Sequence, residues 1–152
     1  MNDHTKGKAH SQLIRDIIER FVPHFIPGAD LAYVDGTGQV NGGWNADRLA
    51  TFEIAIDDPG KMPDAVLYWR AKNWLVLMEA VTEQGAIDEK RRVDLKRIFA
   101  GSSATLIFVI AFPNRRVMGK YLADIAWESE VWVADAPTHL IHFNGEKFLG
   151  PY

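Results

Sequence analysis

Two acids interrupt the most apolar stretches of this chain. Asp64 opens the run Asp64-Ala-Val-Leu-Tyr-Trp69, and Glu79 lies near the far end of Trp74-Leu-Val-Leu-Met-Glu-Ala-Val81. Both runs are rich in β-branched and aromatic residues and read as strands, with Arg70 to Asn73 as the turn between them. In a hairpin turning there, position 64 falls opposite position 79, so the two carboxylates stand side by side. One carboxylate on a core strand is costly unless paired, and its ordinary fate is to cap a strand start or meet an arginine. Two carboxylates in register also repel. A divalent cation between them resolves both problems, and hard oxygen donors suit Mg²⁺.

The elements around this hairpin are those of one α/β domain. The 152 residues suffice for a single core, and 47% hydrophobic content makes the chain globular. Residues 1–10 read as a flexible lead-in and 11–152 as the domain. Ser11 is placed to cap a helix running to about His24, with Leu13, Ile14, Ile17, Ile18, Phe21 and Val22 on one face and the acids Asp16 and Glu19 at its boundary. Asp30 to Val34 is a short strand, and the glycine-rich stretch 35–43 is a turn. Asn45 to Phe52 reads as a helix and Glu53 to Asp57 as a strand. Beyond the hairpin, Asp88 caps a helix through about Ala100 whose inward residues are Ile87, Leu95, Ile98 and Phe99. Ala104 to Phe112 is wholly apolar and so a central strand, and Pro113-Asn114 starts the next helix. Glu130 to Ala134 is a strand, and His139 to Leu149 reads as a type I′ hairpin turning at Asn144-Gly145. His139 and His142, three apart on a strand, point to opposite faces and read as independent structural residues rather than ligands.

Charge and composition narrow the classes. There are no cysteines, which excludes disulfides and cysteine-ligated zinc and fits a cytoplasmic protein. No apolar run approaches the length of a membrane span, and Met1 to Ser11 is polar, unlike a signal peptide. The net charge of −3 excludes a uniformly basic surface, but the cations cluster: Lys90, Arg91, Arg92, Lys96 and Arg97 fall together, and Arg115, Arg116 and Lys120 follow. Cations in the first turn of a helix oppose its dipole at about 0.3–1 kcal/mol each. Lys90, Arg91 and Arg92 accept that cost, which suits a turn that holds an anion such as phosphate.

Pro63-Asp64 with Glu79 resembles the PD-(D/E)XK nucleases. The blocks PDAVLY, NWLVLMEAVT, IAFPNR (110–115), IAWESEVWVADAP (125–137) and HLIHFNGEKFLGPY (139–152), with Gly85 and Lys90-Arg91, resemble the C-terminal catalytic region of BsuBI/PstI-type type II restriction endonucleases. The likeness extends from about Gln12 to Tyr152. It implies a restriction-endonuclease-like α/β/α core with a mixed central sheet. It also implies Mg²⁺-dependent cleavage of double-stranded DNA at a short palindrome, with Asp64, Glu79 and the carbonyl of Ala80 as metal ligands and Arg91 and Arg92 on phosphates. A homodimer is expected on a palindromic site. Enzymes of the family carry a substantial region ahead of this part, which these residues do not include, and base-reading residues are expected there.

The sequence departs from the family pattern at three places. The superfamily's lysine, two residues after the glutamate, is Val81 here. Lys72 lies seven residues from Glu79, roughly 23 Å along a strand, and is too distant to replace it. Lys90 is the expected replacement and Lys61 the second choice. The family's Gly-Asp-Thr with a following lysine is Asp35-Gly36 with Val40 here, and its Ser-His before Gly85 is Glu83-Gln84. These departures motivate an alternative, a module that keeps the fold and binds DNA or protein without catalysis. Retention of both Asp64 and Glu79 speaks against it. A nuclease without sequence specificity is a third reading.

Overall fold

A computed structural model of the chain describes residues 3–34, 62–83 and 88–146. The expectations for 35–61, including Lys61, the glycine-rich turn and the helix and strand after it, lie outside the described residues, as does Gln84. Six strands form one sheet in sequence order: β1 (Asp30–Val34), β2 (Ala65–Trp69), β3 (Trp74–Ala80), β4 (Thr105–Phe112), β5 (Ser129–Val133) and β6 (Ile141–Phe143). The sheet is mixed, with β3, β4 and β5 parallel and the outer pairings antiparallel.

The parallel strands are joined by helices α3 (Glu89–Ile98) and α4 (Arg115–Tyr121), as parallel neighbours require. Side chains of the sheet alternate between two apolar layers. On one face Val76, Met78, Val109, Ala111 and Trp132 pack beneath Leu13, Ile14, Ile17 and Phe21 of the first helical segment. On the other, Leu75, Leu77 and Phe108 meet Leu95 and Phe99 of α3, while Val81, Ile110, Phe112, Val131 and Val133 meet Val117, Met118 and Tyr121 of α4. Three layers result, helix on sheet on helix. Each fully buried aliphatic contributes about 1.5–3 kcal/mol toward holding them together.

The first helical segment begins at Asp3 rather than at a cap on Ser11, so the residues expected as a flexible lead-in are helical from Asp3 onward. α1 (Asp3–Asp16) runs through a π-turn (Ile17–Phe21) into α2 (Val22–Phe25). Pro23 gives the π-turn a physical reason. It has no N–H and its ring crowds the carbonyl four residues back, and the turn before it widens so that the Val22 amide reaches the Ile17 carbonyl. The C-terminal segment also differs from expectation. β6 pairs with β5, and of Asn144-Gly145 only Gly145 has positive φ (64°), which a type I′ turn would require of both. Residues 147–149, the expected return arm, lie outside the described residues.

Candidate active site

The central hairpin forms as the residue pattern dictates. Its register pairs Trp69 with Trp74 and Ala65 with Met78, so one step further Asp64 faces Glu79. Asn73 takes the left-handed conformation (φ 55°) in the turn, a conformation asparagine tolerates, and the Tyr68 hydroxyl donates to its side chain at 3.0 Å. Glu79 follows Leu75 and Leu77 onto the face of α3, whereas Asp64, one residue before β2, reaches the Ala80 amide and α1.

Each carboxylate is held by different elements. Asp64 Oδ2 accepts the Ala80 amide at 2.7 Å, and Asp64 Oδ1 lies 3.2 Å from His10 Nε2 of α1. Glu79 Oε1 accepts Arg91 Nη2 at 2.8 Å, and the same nitrogen donates to the Met62 carbonyl at 3.2 Å. Arg91 therefore ties both arms of the hairpin to α3. The carboxylates retain only about 15% side-chain exposure. Burial pushes the Glu79 carboxyl up from 4.5 to about 7. Arg91 opposes that rise and the neighbouring Asp64 adds to it.

Backbone geometry supplies one more oxygen. The Val81 amide donates to the Ala111 carbonyl of β4 at 2.8 Å, so the alternation of the strand turns the Ala80 amide and carbonyl toward the side of Asp64. Two carboxylates and a carbonyl are hard donors. Among the described residues no group of three or more His, Cys, Asp or Glu side chains converges. A cation held here would rest on Asp64, Glu79 and Ala80. Burial, with the neighbouring Asp64 adding to it, raises the Glu79 carboxyl, and a cation bound here would favour its ionised form.

The three cations expected in the first turn of α3 separate. Asp88 caps the helix, accepting the Arg91 amide at 3.0 Å. Lys90 is exposed on α3. Arg91 takes the place beside the glutamate. Arg92, expected on a DNA phosphate, is instead buried: its guanidinium lies 4.8 Å from the Phe108 ring centroid and donates to the Trp127 carbonyl and, at 3.4 Å, to Glu128. That correction has a simple cause. Arg92 precedes Leu95 by three residues and so shares the face that packs on the sheet. Val81, in the superfamily's lysine position, is 1% exposed within the layer beneath α4.

His10 is the residue that sequence reasoning missed. Asp16, an acid at the boundary of the same helix, pairs instead with Gln12 and Arg20 on the helix itself. The signal was present: His10 lies three, four and seven residues before Leu13, Ile14 and Ile17, on the stripe that meets the sheet. His139 contacts Thr138 and His142 pairs with the buried Glu130, so neither joins the carboxylates.

Comparison with known proteins adds a second line of evidence. Residues 4–146 match the model of the BsuBI/PstI restriction endonuclease domain. The chain is 52% identical over 143 residues to type II restriction enzyme BsuBI of Bacillus subtilis, covering 94% of this chain and 45% of that protein. It is 32% identical over 144 residues to type II restriction enzyme AplI of Arthrospira platensis, covering 90% of this chain and 44% of that protein. The solved structure of SdaI restriction endonuclease superimposes with a TM-score of 0.81 at 42% identity, over 94% of this chain and 45% of that one. The chain thus spans a little under half the length of the relatives it matches.

Proposed function

The chain belongs to the BsuBI/PstI restriction endonuclease family, and from that premise we propose that it is a Mg²⁺-dependent endodeoxyribonuclease acting on double-stranded DNA. The observation that carries the proposal is that the hairpin brings Asp64 and Glu79 together at one end, with Arg91 of α3 against Glu79. The absence of cysteine and of any membrane-spanning helix among the described residues suits an enzyme working on DNA in the cytoplasm. A palindromic target would make the working form a homodimer.

Asp64, Glu79 and the Ala80 carbonyl would hold the ion. When bound, it supplies Lewis acidity toward the scissile phosphate and a water of lowered pKa. The protein's own part is orientation and charge. The Ala80 amide and His10 fix the Asp64 carboxylate, and Arg91 fixes Glu79. Arg91 also sets a half-buried guanidinium beside the pair, where it can offset negative charge gathering on the phosphoryl oxygens. Lys90, exposed at the mouth of α3, is suited to a DNA phosphate.

Incubation of plasmid DNA with and without Mg²⁺, with Asp64→Asn and Glu79→Gln alongside, tests this reading. Cleavage should require the ion and fall by at least ~10²-fold in either variant. Full cleavage by either variant would place the site elsewhere.

A further inference from the structure

α1 and the π-turn that follows it meet the sheet through Leu13, Ile14 and Ile17, all nearly inaccessible to solvent. One turn toward the N-terminus the same stripe presents an imidazole instead of an aliphatic chain. That turn reaches the end of the hairpin where Asp64 stands, and His10 Nε2 lies 3.2 Å from Asp64 Oδ1. The His10 side chain is 23% exposed and that of Asp64 16%. An ionised carboxylate only accepts hydrogen bonds, so Nε2 carries the hydrogen.

The other Asp64 oxygen is fixed by the Ala80 amide at 2.7 Å. That bond by itself restrains one oxygen but does not fix the carboxylate plane sharply, because hydrogen-bond directions at an sp² oxygen are broadly distributed. A second donor, from an element 54 residues away in the chain, fixes the plane as well. We propose that His10 is a positioning residue, setting the plane of the Asp64 carboxylate toward Glu79 and making α1 part of the cation-binding apparatus. The proposal rests on the nuclease reading above and goes beyond it. In this role His10 acts through Asp64. Outer donors of this kind typically change metal affinity by 10–100-fold.

The alternative is a packing role, in which the imidazole only fills the space between α1 and the hairpin. Three substitutions in the whole chain separate the two. His10→Phe keeps the ring and loses the donor, His10→Gln keeps a donor and loses the ring, and Asp64→Asn removes the ligand. Mn²⁺ and Mg²⁺ binding by calorimetry, thermal unfolding in EDTA and the single-turnover rate on a DNA duplex are the readouts. Positioning predicts that His10→Phe weakens Mn²⁺ binding by ~10–100-fold and slows cleavage to match, with its unfolding temperature in EDTA close to that of the wild type. His10→Gln should recover most of both losses. If His10→Phe binds Mn²⁺ as the wild type does, or if His10→Gln binds no better than His10→Phe, the proposal is wrong. With Asp64→Asn inactive, that result removes the role of His10 alone. If Asp64→Asn also binds and cleaves normally, the nuclease site itself is misplaced and the role of His10 goes with it.

Discussion

Glu79 is the residue whose chemistry is most altered by its surroundings. Its carboxyl is raised from 4.5 to about 7, chiefly by burial. A raised acid favours the folded state while protonated. Its contribution is present in full below about 4.5 and is lost as pH rises through about 7. At ~1.4 kcal/mol per pH unit that gap amounts to about 3 kcal/mol. In EDTA, the wild type should therefore lose stability relative to Glu79→Gln between about pH 5 and pH 7.5, as read from urea midpoints. A constant difference between the two across that range would contradict the assignment. The cations make a second residue-level test. Arg91→Ala should cut the single-turnover rate at saturating DNA by roughly 10²–10³-fold while leaving Ca²⁺-supported binding nearly intact. Lys90→Ala should do the reverse, weakening binding in a way that shrinks at low salt and lowering the salt slope by about 0.9. A slow-cutting, normally binding Lys90→Ala would return the catalytic role to Lys90.

At the scale of elements, the site depends on the phase and anchoring of α3. Leu95 and Phe99 seat the helix on the sheet, and Arg91 lies four and eight residues before them, on the same stripe. Asp88 fixes where that stripe begins by capping the Arg91 amide. Asp88→Ala should cost about 1 kcal/mol, the usual worth of such a cap, or roughly 2–4 °C in the unfolding midpoint of a domain this size. It should also loosen the Arg91–Glu79 bond, so cleavage at constant temperature should fall more than stability does. Scanning calorimetry beside a cleavage assay checks both, and an unchanged midpoint would mean the cap contributes nothing. Arg92, on the sheet-facing side of the same helix, reinforces it by holding the Trp127 carbonyl and Glu128. Glu128 keeps a left-handed backbone (φ 63°), a conformation uncommon for glutamate, which these contacts hold in place.

At the scale of the molecule, one hairpin supplies both carboxylates, and single helices on either side of the sheet supply their partners. On the proposed nuclease reading, a lone domain would present one cutting centre, whereas a palindromic duplex would offer two equivalent bonds. Two copies related by a two-fold axis satisfy both. Sedimentation should show a dimer on a cleavable duplex held in Ca²⁺, and a strict monomer both free and bound would rule that out.

The sequence by itself determined what depends on neighbours along the chain. The alternation and turn of the hairpin set its register, and register put Asp64 opposite Glu79. The bounds of β1, the cap at Asp88 and the apolar run of β4 follow from equally local patterns. What the sequence did not determine is how the helices meet the sheet. Lys90, Arg91 and Arg92 are equivalent by charge and composition. Successive helical positions turn by about 100°, and only packing of Leu95 and Phe99 on the sheet sends one cation out, one to Glu79 and one beneath Trp127. His10 meets Asp64 across 54 residues for the same reason, and the Arg92 contact with Trp127 spans 35. The carboxylate pair is a product of strand pairing, which local pattern encodes. Its cationic and hydrogen-bonding surroundings are products of helix docking, which the shared core alone fixes.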